Sequence, residues 1–403
     1  MHGLLEKNSA TSLARASGGA RDGRWRQLLG GVLLGLLGAA GSVAAWAQAE
    51  GVTDSELVIG QSCQLSGPLA ALSGEVRLGA KLYFDHVNRH GGVSGRQIRL
   101  VTLDDAYDPK KAADNTRELI DQHRVLALFQ YAGTPPTMAA LPIAEEKRVP
   151  LIAPFTGSDA LRQKFSRYVF NIKAGYSDEL AAMVRQLAAV GIDRVAVVYL
   201  NNAFGSGGLA AVEKSAGAQR VKLLAKVALE VDGSNMAAAV EQVATGQPQA
   251  IIVVSAGKPS IDFVDAYLRG GHHSTFYLLS VISNTQLVQV LKEKARGIVI
   301  SQVVPSPWNQ SLAVARELQA RATEAGVKDL TFSQMEGFVS AKFLVEGLKR
   351  AGKNVSREAL VRALEDMTKQ DLGGYLVELS ATKHSSGKFV DLMILGADGK
   401  FRR

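Results

Sequence analysis

Cys63 is the only cysteine among 403 residues, so the chain can form neither an internal disulfide framework nor a CxxC metal or redox site. Its seven histidines include no HExxH pair, and neither a helix-borne histidine pair nor any other metal site is expected. No GxSxG elbow and no GxxxxGK(S/T) loop occurs, and Gly205-Ser206-Gly207-Gly208 lacks the GxGxxG spacing, which makes it a flexible turn before a helix. Cys63 has no histidine near it in sequence and reads as a small buried hydrophobe rather than a catalytic thiol. His272-His273, in a polar turn between Gly271 and Ser274, reads as solvent-exposed. These residue types predict no catalytic residue and no cofactor. The remaining chemistry is recognition. Ligands of open α/β sheets sit outside the strand ends, which here read as 61–68, from Tyr131 through Gly133 to Thr134, and from Phe155 through Thr156 and Gly157 to Asp159; two of these loops open directly into helices. The free N–H groups and dipole of a helix start favour an anion, and a carboxylate is the natural guest. Thr134 offers a hydroxyl as well as an N–H, and both Thr134 and Ser158 also read as caps of their own helices.

The elements that must position these loops alternate almost without interruption. Strand candidates fall at 57–62, 98–103, 125–129, 151–153, 169–171, 195–200, 221–229, 251–255, 276–280 and 298–304. Most pairs enclose a helix with readable ends. Asp108-Pro109 places an N-cap and an N1 proline, Thr134-Pro135 repeats the device, and Ser177 caps a helix whose stripe of Leu180, Met183, Val184 and Leu187 stops at Gly191. Strands alternating with helices of this length imply βαβ units, hence an α/β, doubly wound fold with parallel sheets. After Val304 three helical segments follow in succession, 312–325, 332–350 and 357–367, and then two strand-like pieces, 375–379 and 389–395. That change of rhythm suggests a chain returning to complete an earlier lobe, and the length predicts about two to three domains.

The first 47 residues differ in composition. Arg21, Arg24 and Arg26 precede an uncharged run, 28–47, rich in Leu, Gly and Ala and closing on Ala45-Trp46-Ala47. This pattern predicts a cleaved secretory signal peptide, 1–47, with the cut between Ala47 and Gln48 and a periplasmic product; a retained membrane anchor is the alternative. Cleavage lowers the net charge from +8 to +5. Lysine and arginine alternate with acids along the helices, which argues against a nucleic-acid partner.

The sequence resembles a known family over nearly all of the chain beyond residue 47. Val58-Ile59-Gly60, Leu65-Ser66-Gly67-Pro68, Leu78-Gly79-Ala80 and Asn88-Arg89-His90-Gly91-Gly92-Val93-Ser94-Gly95 are similar to the opening of periplasmic ligand-binding proteins of the branched-chain amino-acid type. Asp104-Asp105-Ala106-Tyr107-Asp108-Pro109-Lys110, Val149-Pro150-Leu151-Ile152-Ala153-Pro154 and Met335-Glu336-Gly337-Phe338 continue the resemblance in order. It implies a type I solute-binding protein of an ABC importer: two Rossmann-like lobes, three hinge crossovers and closure on a small-molecule ligand. The crossovers would fall near Ala174-Gly175, at 301–304 and near Gly387-Lys388, giving one lobe of 48–174 plus 304–387 and another of 175–303 plus 388–403. A monomer that hands its ligand to an importer permease is expected. A ligand-sensing module for a membrane receptor is the alternative on the same fold, and an exported α/β enzyme is a third class.

Carried onto this chain, the resemblance places Thr134, Thr156 and Gly157 on the ligand carboxylate, and Tyr176 and Phe204 as cover from the second lobe. Tyr107 and Gly133 match the positions of a disulfide in some relatives, absent here. Where amino-acid binders keep an acid for the ligand ammonium, this chain reads Val281-Ile282-Ser283-Asn284. The loop before it carries Lys258, which either faces the cleft or is an exposed helix-start lysine. Burying an unpaired ammonium costs several kcal/mol, so a carboxylate ligand without an α-ammonium is expected unless Asp178 or Glu179 supplies the acid from another direction.

Overall fold

A computed structural model describes residues 50–402. The predicted signal segment lies outside the described residues. Two sheets carry the fold. The first is all parallel: β1 (Glu56–Cys63), β2 (Gln97–Asp104), β3 (Ala127–Phe129), β4 (Leu151–Ile152) and β5 (Val169–Phe170), in the order β2-β1-β3-β4-β5. The second contains the parallel strands β6 (Arg194–Leu200), β7 (Lys222–Leu229), β8 (Ala250–Val254), β9 (Thr275–Leu278) and β10 (Val299–Gln302). Strands β13 (Asp391–Leu395) and β14 (Phe401–Arg402) extend it antiparallel, giving β14-β13-β10-β9-β8-β6-β7. A small ribbon pairs β11 (Gln370–Asp371) with β12 (Leu376–Val377). The fold is α/β with parallel-dominated sheets, as the strand and helix rhythm predicts.

Strand order reverses between β1 and β3 in the first sheet and between β6 and β8 in the second, and the crevice outside such a reversal is where open α/β sheets bind ligands. The helices on the first sheet explain two of the sequence motifs. Helix α1 (Ala70–Arg89) lies against α11 (Phe332–Ala351), and α10 (Ala313–Glu324) and α12 (Arg357–Glu365) complete that face. A Cβ on Gly79 would lie 1.9 Å from the Gln334 carbonyl oxygen, and one on Gly337 would lie 1.9 Å from that of Val76. Only glycine lets the two backbones approach this closely. Helices α2 (Pro109–Asp121) and α3 (Thr134–Glu146) cover the opposite face. The second sheet is flanked by α5 (Tyr176–Ala189), α6 (Ala203–Gln219), α7 (Met236–Thr245), α8 (Gly257–Arg269) and α9 (Asn284–Leu291). Short α4 (Ala160–Gln163) follows β4.

The chain leaves the first sheet through residues 171–175 between β5 and α5, returns between β10 and α10, and leaves again between β12 and β13. The first and last of these segments run side by side: the Asn171 N–H donates to the His384 carbonyl at 2.8 Å, and the Ser386 N–H donates to that of Asn171 at 2.8 Å.

Several helix starts differ from the expected caps. Asp108 caps α2 as predicted, accepting from the N–H groups of Lys110 and Lys111. The N-cap of α3 is Gly133 rather than Thr134, and that of α5 is Gly175 rather than Ser177. Ser177 instead donates its hydroxyl to Asp159 Oδ1 at 2.7 Å. Residue 158 also gives way as a cap, since Asp159 precedes α4.

Candidate functional site

The C-terminal ends of the strands converge on one small cleft lined by Gln64, Leu69, Leu72, Tyr107, Gly133, Thr134, Phe155, Tyr176, Phe204, Ala256 and Val281, with a cavity volume of about 20 Å³. Adjacent acids, Asp104 and Asp105, build the first wall at the end of β2. Asp104 accepts from the N–H groups of Leu65 and Ala106 and from the Ser66 hydroxyl, at 2.8, 2.9 and 2.6 Å, fixing the loop after β1. Asp105 accepts from the Ser62 hydroxyl at 2.8 Å and from the Gln64 amide at 2.9 Å. The same amide reaches the Ala132 carbonyl at 2.9 Å, and the Ser73 hydroxyl holds its oxygen at 2.7 Å, so Gln64 is clamped from three sides. Burial pushes the Asp105 carboxyl above its ordinary range against the pull of these donors.

The loops after β3 and β4 meet through side chains. Thr134 Oγ1 and Thr156 Oγ1 are 2.8 Å apart and both buried, while the Ser158 N–H donates to Thr156 Oγ1 at 3.2 Å. Freed from capping its own helix, Thr134 points its hydroxyl to this loop junction. Gly133 has φ +87°, and a Cβ there would lie 2.4 Å from the Tyr107 ring. Gly133 and Tyr107 are thus in contact by packing. Arg162 straps the second loop, donating to the Ser158 carbonyl at 2.7 Å and more weakly to those of Thr156 and Lys173.

From the second sheet, Phe204 and Val281 cover the cleft. Asn202 caps α6 through the N–H groups of Phe204 and Gly205, which fixes Phe204 against Tyr176 with ring centroids 4.8 Å apart. Tyr176 lies over Gly157, where a Cβ would be 2.7 Å from its ring. Burial raises the Tyr176 phenol, opposed by the Gly157 N–H and the Thr156 hydroxyl.

Beneath Phe155 and Tyr176 lies a buried charge cluster. Lys173, in the first crossover, pairs with Glu336 of α11 at 3.0 Å, and its ammonium sits 4.6 Å from the Phe155 ring centre. Glu179, fully buried, accepts from the Ser280 N–H at 3.1 Å, the Ser280 hydroxyl at 3.2 Å and the Ser301 hydroxyl at 2.5 Å. Burial raises its carboxyl, with the Lys173 charge acting in the opposite direction. Unpaired, any of these ions would cost several kcal/mol in this setting.

The structure brings Thr134, Gly133, Phe155, Thr156, Gly157, Tyr176, Phe204 and Val281 to one place. It does not bring Tyr131 or the Lys258 side chain there. Tyr131 points into the core under α2, its hydroxyl 3.1 Å from Thr116 Oγ1. Lys258 is half exposed and pairs with Asp262 one turn on, at 2.5 Å. Sequence reasoning missed Leu69 and Leu72, which reach the cleft only through tertiary approach, and covered Gln64 and Ala256 only as parts of strand-end loops without singling them out. Cys63 is buried with its thiol pushed up to about 12, chiefly by desolvation. His273 is exposed, while His272 packs 5.1 Å from the Tyr267 ring. One histidine pair has helical spacing, His86 and His90 of α1, but Arg321 contacts His86 and, after burial, holds its imidazolium down, an unfavourable setting for a cation. Among the described residues, no group of three or more His, Cys, Asp or Glu side chains could hold a metal ion.

Comparison with known proteins agrees with this architecture. A Leu/Ile/Val-binding protein, BraC3, of Rhizobium johnstonii is 22% identical over 336 residues, covering 77% of this chain and 84% of its own. A substrate-binding periplasmic protein from Ralstonia solanacearum has a crystal structure that superposes with a TM-score of 0.81 at 30% identity, covering 86% of this chain and 99% of that one. A possible leucine/isoleucine/valine-binding protein from Rhodopirellula baltica gives 0.80 at 28% identity, covering 87% and 96%. With the family profile for periplasmic binding proteins matching residues 56–390, the chain belongs to that family.

Proposed function

We propose that the mature protein is a monomeric, non-enzymatic periplasmic binding protein that captures a small carboxylate-bearing solute between two lobes and delivers it to the permease of an ABC importer. The lobes in this reading comprise 48–174 plus 304–387 and 175–303 plus 388–403, after removal of residues 1–47. The observation that carries the ligand class is the asymmetry of the cleft. Its first wall offers Thr134, whose hydroxyl lies 2.8 Å from that of the fully buried Thr156, while the opposing wall offers Phe204, Ala256 and Val281. The acid that could have answered an ammonium, Glu179, faces away from the cleft lining: three donors from Ser280 and Ser301 hold it, and Lys173 offsets its charge. Asp178 reaches back to the Gly175 N–H at 3.2 Å. A carboxylate fits the hydroxyl wall and a hydrocarbon or aromatic body fits the other, whereas an α-ammonium would be buried without a partner at a cost of several kcal/mol.

Room for about one water molecule does not admit such a ligand, so the lobes must part for it to enter. A thermal-shift screen of amino acids against their deaminated analogues, with L-leucine beside 4-methyl-2-oxopentanoate as the leading pair and benzoate as an aromatic acid, tests the ligand class. Stabilisation by the acids is expected. Stabilisation by amino acids alone overturns it.

A further inference from the structure

We propose that Glu75, a residue outside the ligand cleft, positions the second lobe by latching it shut, and that it holds part of the ligand-free population closed. This rests on the two-lobed closure described above. Glu75 lies on α1, against the first sheet. Its Oε1 accepts a hydrogen bond of 2.6 Å from the Ser283 hydroxyl, which belongs to the turn after β9 of the second sheet. Ser283 is also the N-cap of α9, its oxygen accepting the Gln286 N–H at 3.2 Å, so one hydroxyl works in both directions. The hydroxyls of Thr285, in the first turn of α9, and of Thr331 and Ser333 at the start of α11 lie near the carboxyl group, whose other oxygen is buried without a hydrogen bond. Thr331 caps α11 through the Gln334 N–H at 3.1 Å. A single carboxyl group therefore stands between two helix starts, one from each sheet, whose dipoles favour its charged form while burial pushes its pKa up.

None of Glu75, Ser283, Thr285, Thr331 and Ser333 lines the cleft, and parting the lobes breaks the contact. Beside it, the Lys258 N–H donates to the Pro68 carbonyl at 3.2 Å, an approach that depends on Gly257, whose φ is +57° and whose Cβ would lie 2.4 Å from Leu69. The two contacts form a seam that closes with or without a guest. Because the latch acts on closure and not on the guest, weakening it lowers affinity for every ligand by one common factor. A side chain that touches the ligand changes discrimination instead.

Distance measurements between spin labels on Lys111→Cys and Gln289→Cys, one on each lobe, test the proposal; Cys63 is buried and stays unlabelled. Ligand-free wild-type protein should show two distances. Glu75→Ala should lower the closed-to-open ratio about tenfold, the loss expected for a hydrogen bond to a charged group, and Glu75→Gln, which keeps an acceptor, should retain part of it. Ser283→Ala and the double variant should give the same loss as Glu75→Ala rather than the product of two, although Ser283→Ala also lowers the melting temperature by removing a cap. A single distance in the ligand-free protein, an unchanged ratio in Glu75→Ala, or multiplicative losses overturns the latch. Adding 4-methyl-2-oxopentanoate or benzoate separates the two readings. A second distance that appears only with an acid keeps closure and removes the latch, and a single distance under every condition removes closure itself.

Discussion

Thr134 sits at the first position of its helix with its hydroxyl spent on Thr156 and not on its own backbone, because Gly133 takes the cap position. Removing that hydroxyl therefore separates two effects that the sequence alone leaves merged. Thr134→Val, which keeps the shape, should cost about 0.5–1.5 kcal/mol of stability and about 1.5–3 kcal/mol of affinity for a carboxylate, roughly 10- to 150-fold, read by calorimetric titration with the acid that stabilises the wild type most. Unchanged affinity would make the threonine pair purely structural. Glu179 gives a pH signature. Burial raises its carboxyl above the ordinary value of 4.5, so just above that pH the folded chain holds more protons than the unfolded chain. Its contribution to stability then falls as pH rises through the window up to the raised value. Glu179→Gln removes that slope: urea unfolding from about pH 4 to about pH 8 should show wild-type stability declining relative to the variant, and parallel profiles would refute the assignment. Thr134 could be singled out from its hydroxyl at a helix start, and Thr156 and Gly157 from the resemblance; the structure shows that the two threonine hydroxyls meet. Gln64 and Leu72 carried no such mark, since their place depends on Asp105 and Ser73 and on the approach of α1. Tyr131 and Lys258 misled because strand-end position does not say which way a side chain points.

At the scale of elements, the alternation of β-branched runs with amphipathic stretches gave the sheets and most helices, including the three late helices that return to cover the first sheet. Caps were less legible. Threonine and glycine cap helices about equally well in general, and here Gly133 with its positive φ starts α3 because Tyr107 packing leaves no room for a larger residue there. The seam between α1 and α11 makes a sharper prediction. Gly79→Ala and Gly337→Ala each force a methyl into a backbone carbonyl and should each cost about 1–3 kcal/mol or more, measured by chemical unfolding. Once either pushes the helices apart, the second substitution meets a wider gap, so the double variant should lose less than the sum. Additive losses would mean that the two glycines relax independently.

Across the whole molecule, the first and third crossovers lie side by side, and Trp308 marks the second. Beyond residue 47 it is the only tryptophan of the sequence, packed edge-on to Phe332 of α11 at 5.5 Å and stacked on Phe401 of β14 at 6.2 Å. Elements attached to different sheets thus flank one fluorophore, and its emission should shift when an acid from the thermal-shift screen closes the cleft; an unchanged spectrum at saturation would show that this aromatic trio moves as a unit. Small-angle scattering addresses both the carboxylate wall and the closing lobes at once. With the most stabilising acid at saturation, the wild type should become more compact, and Thr134→Val at the same concentration should contract measurably less. An acid that raises the melting temperature while leaving the wild-type scattering profile unchanged would contradict capture by closure.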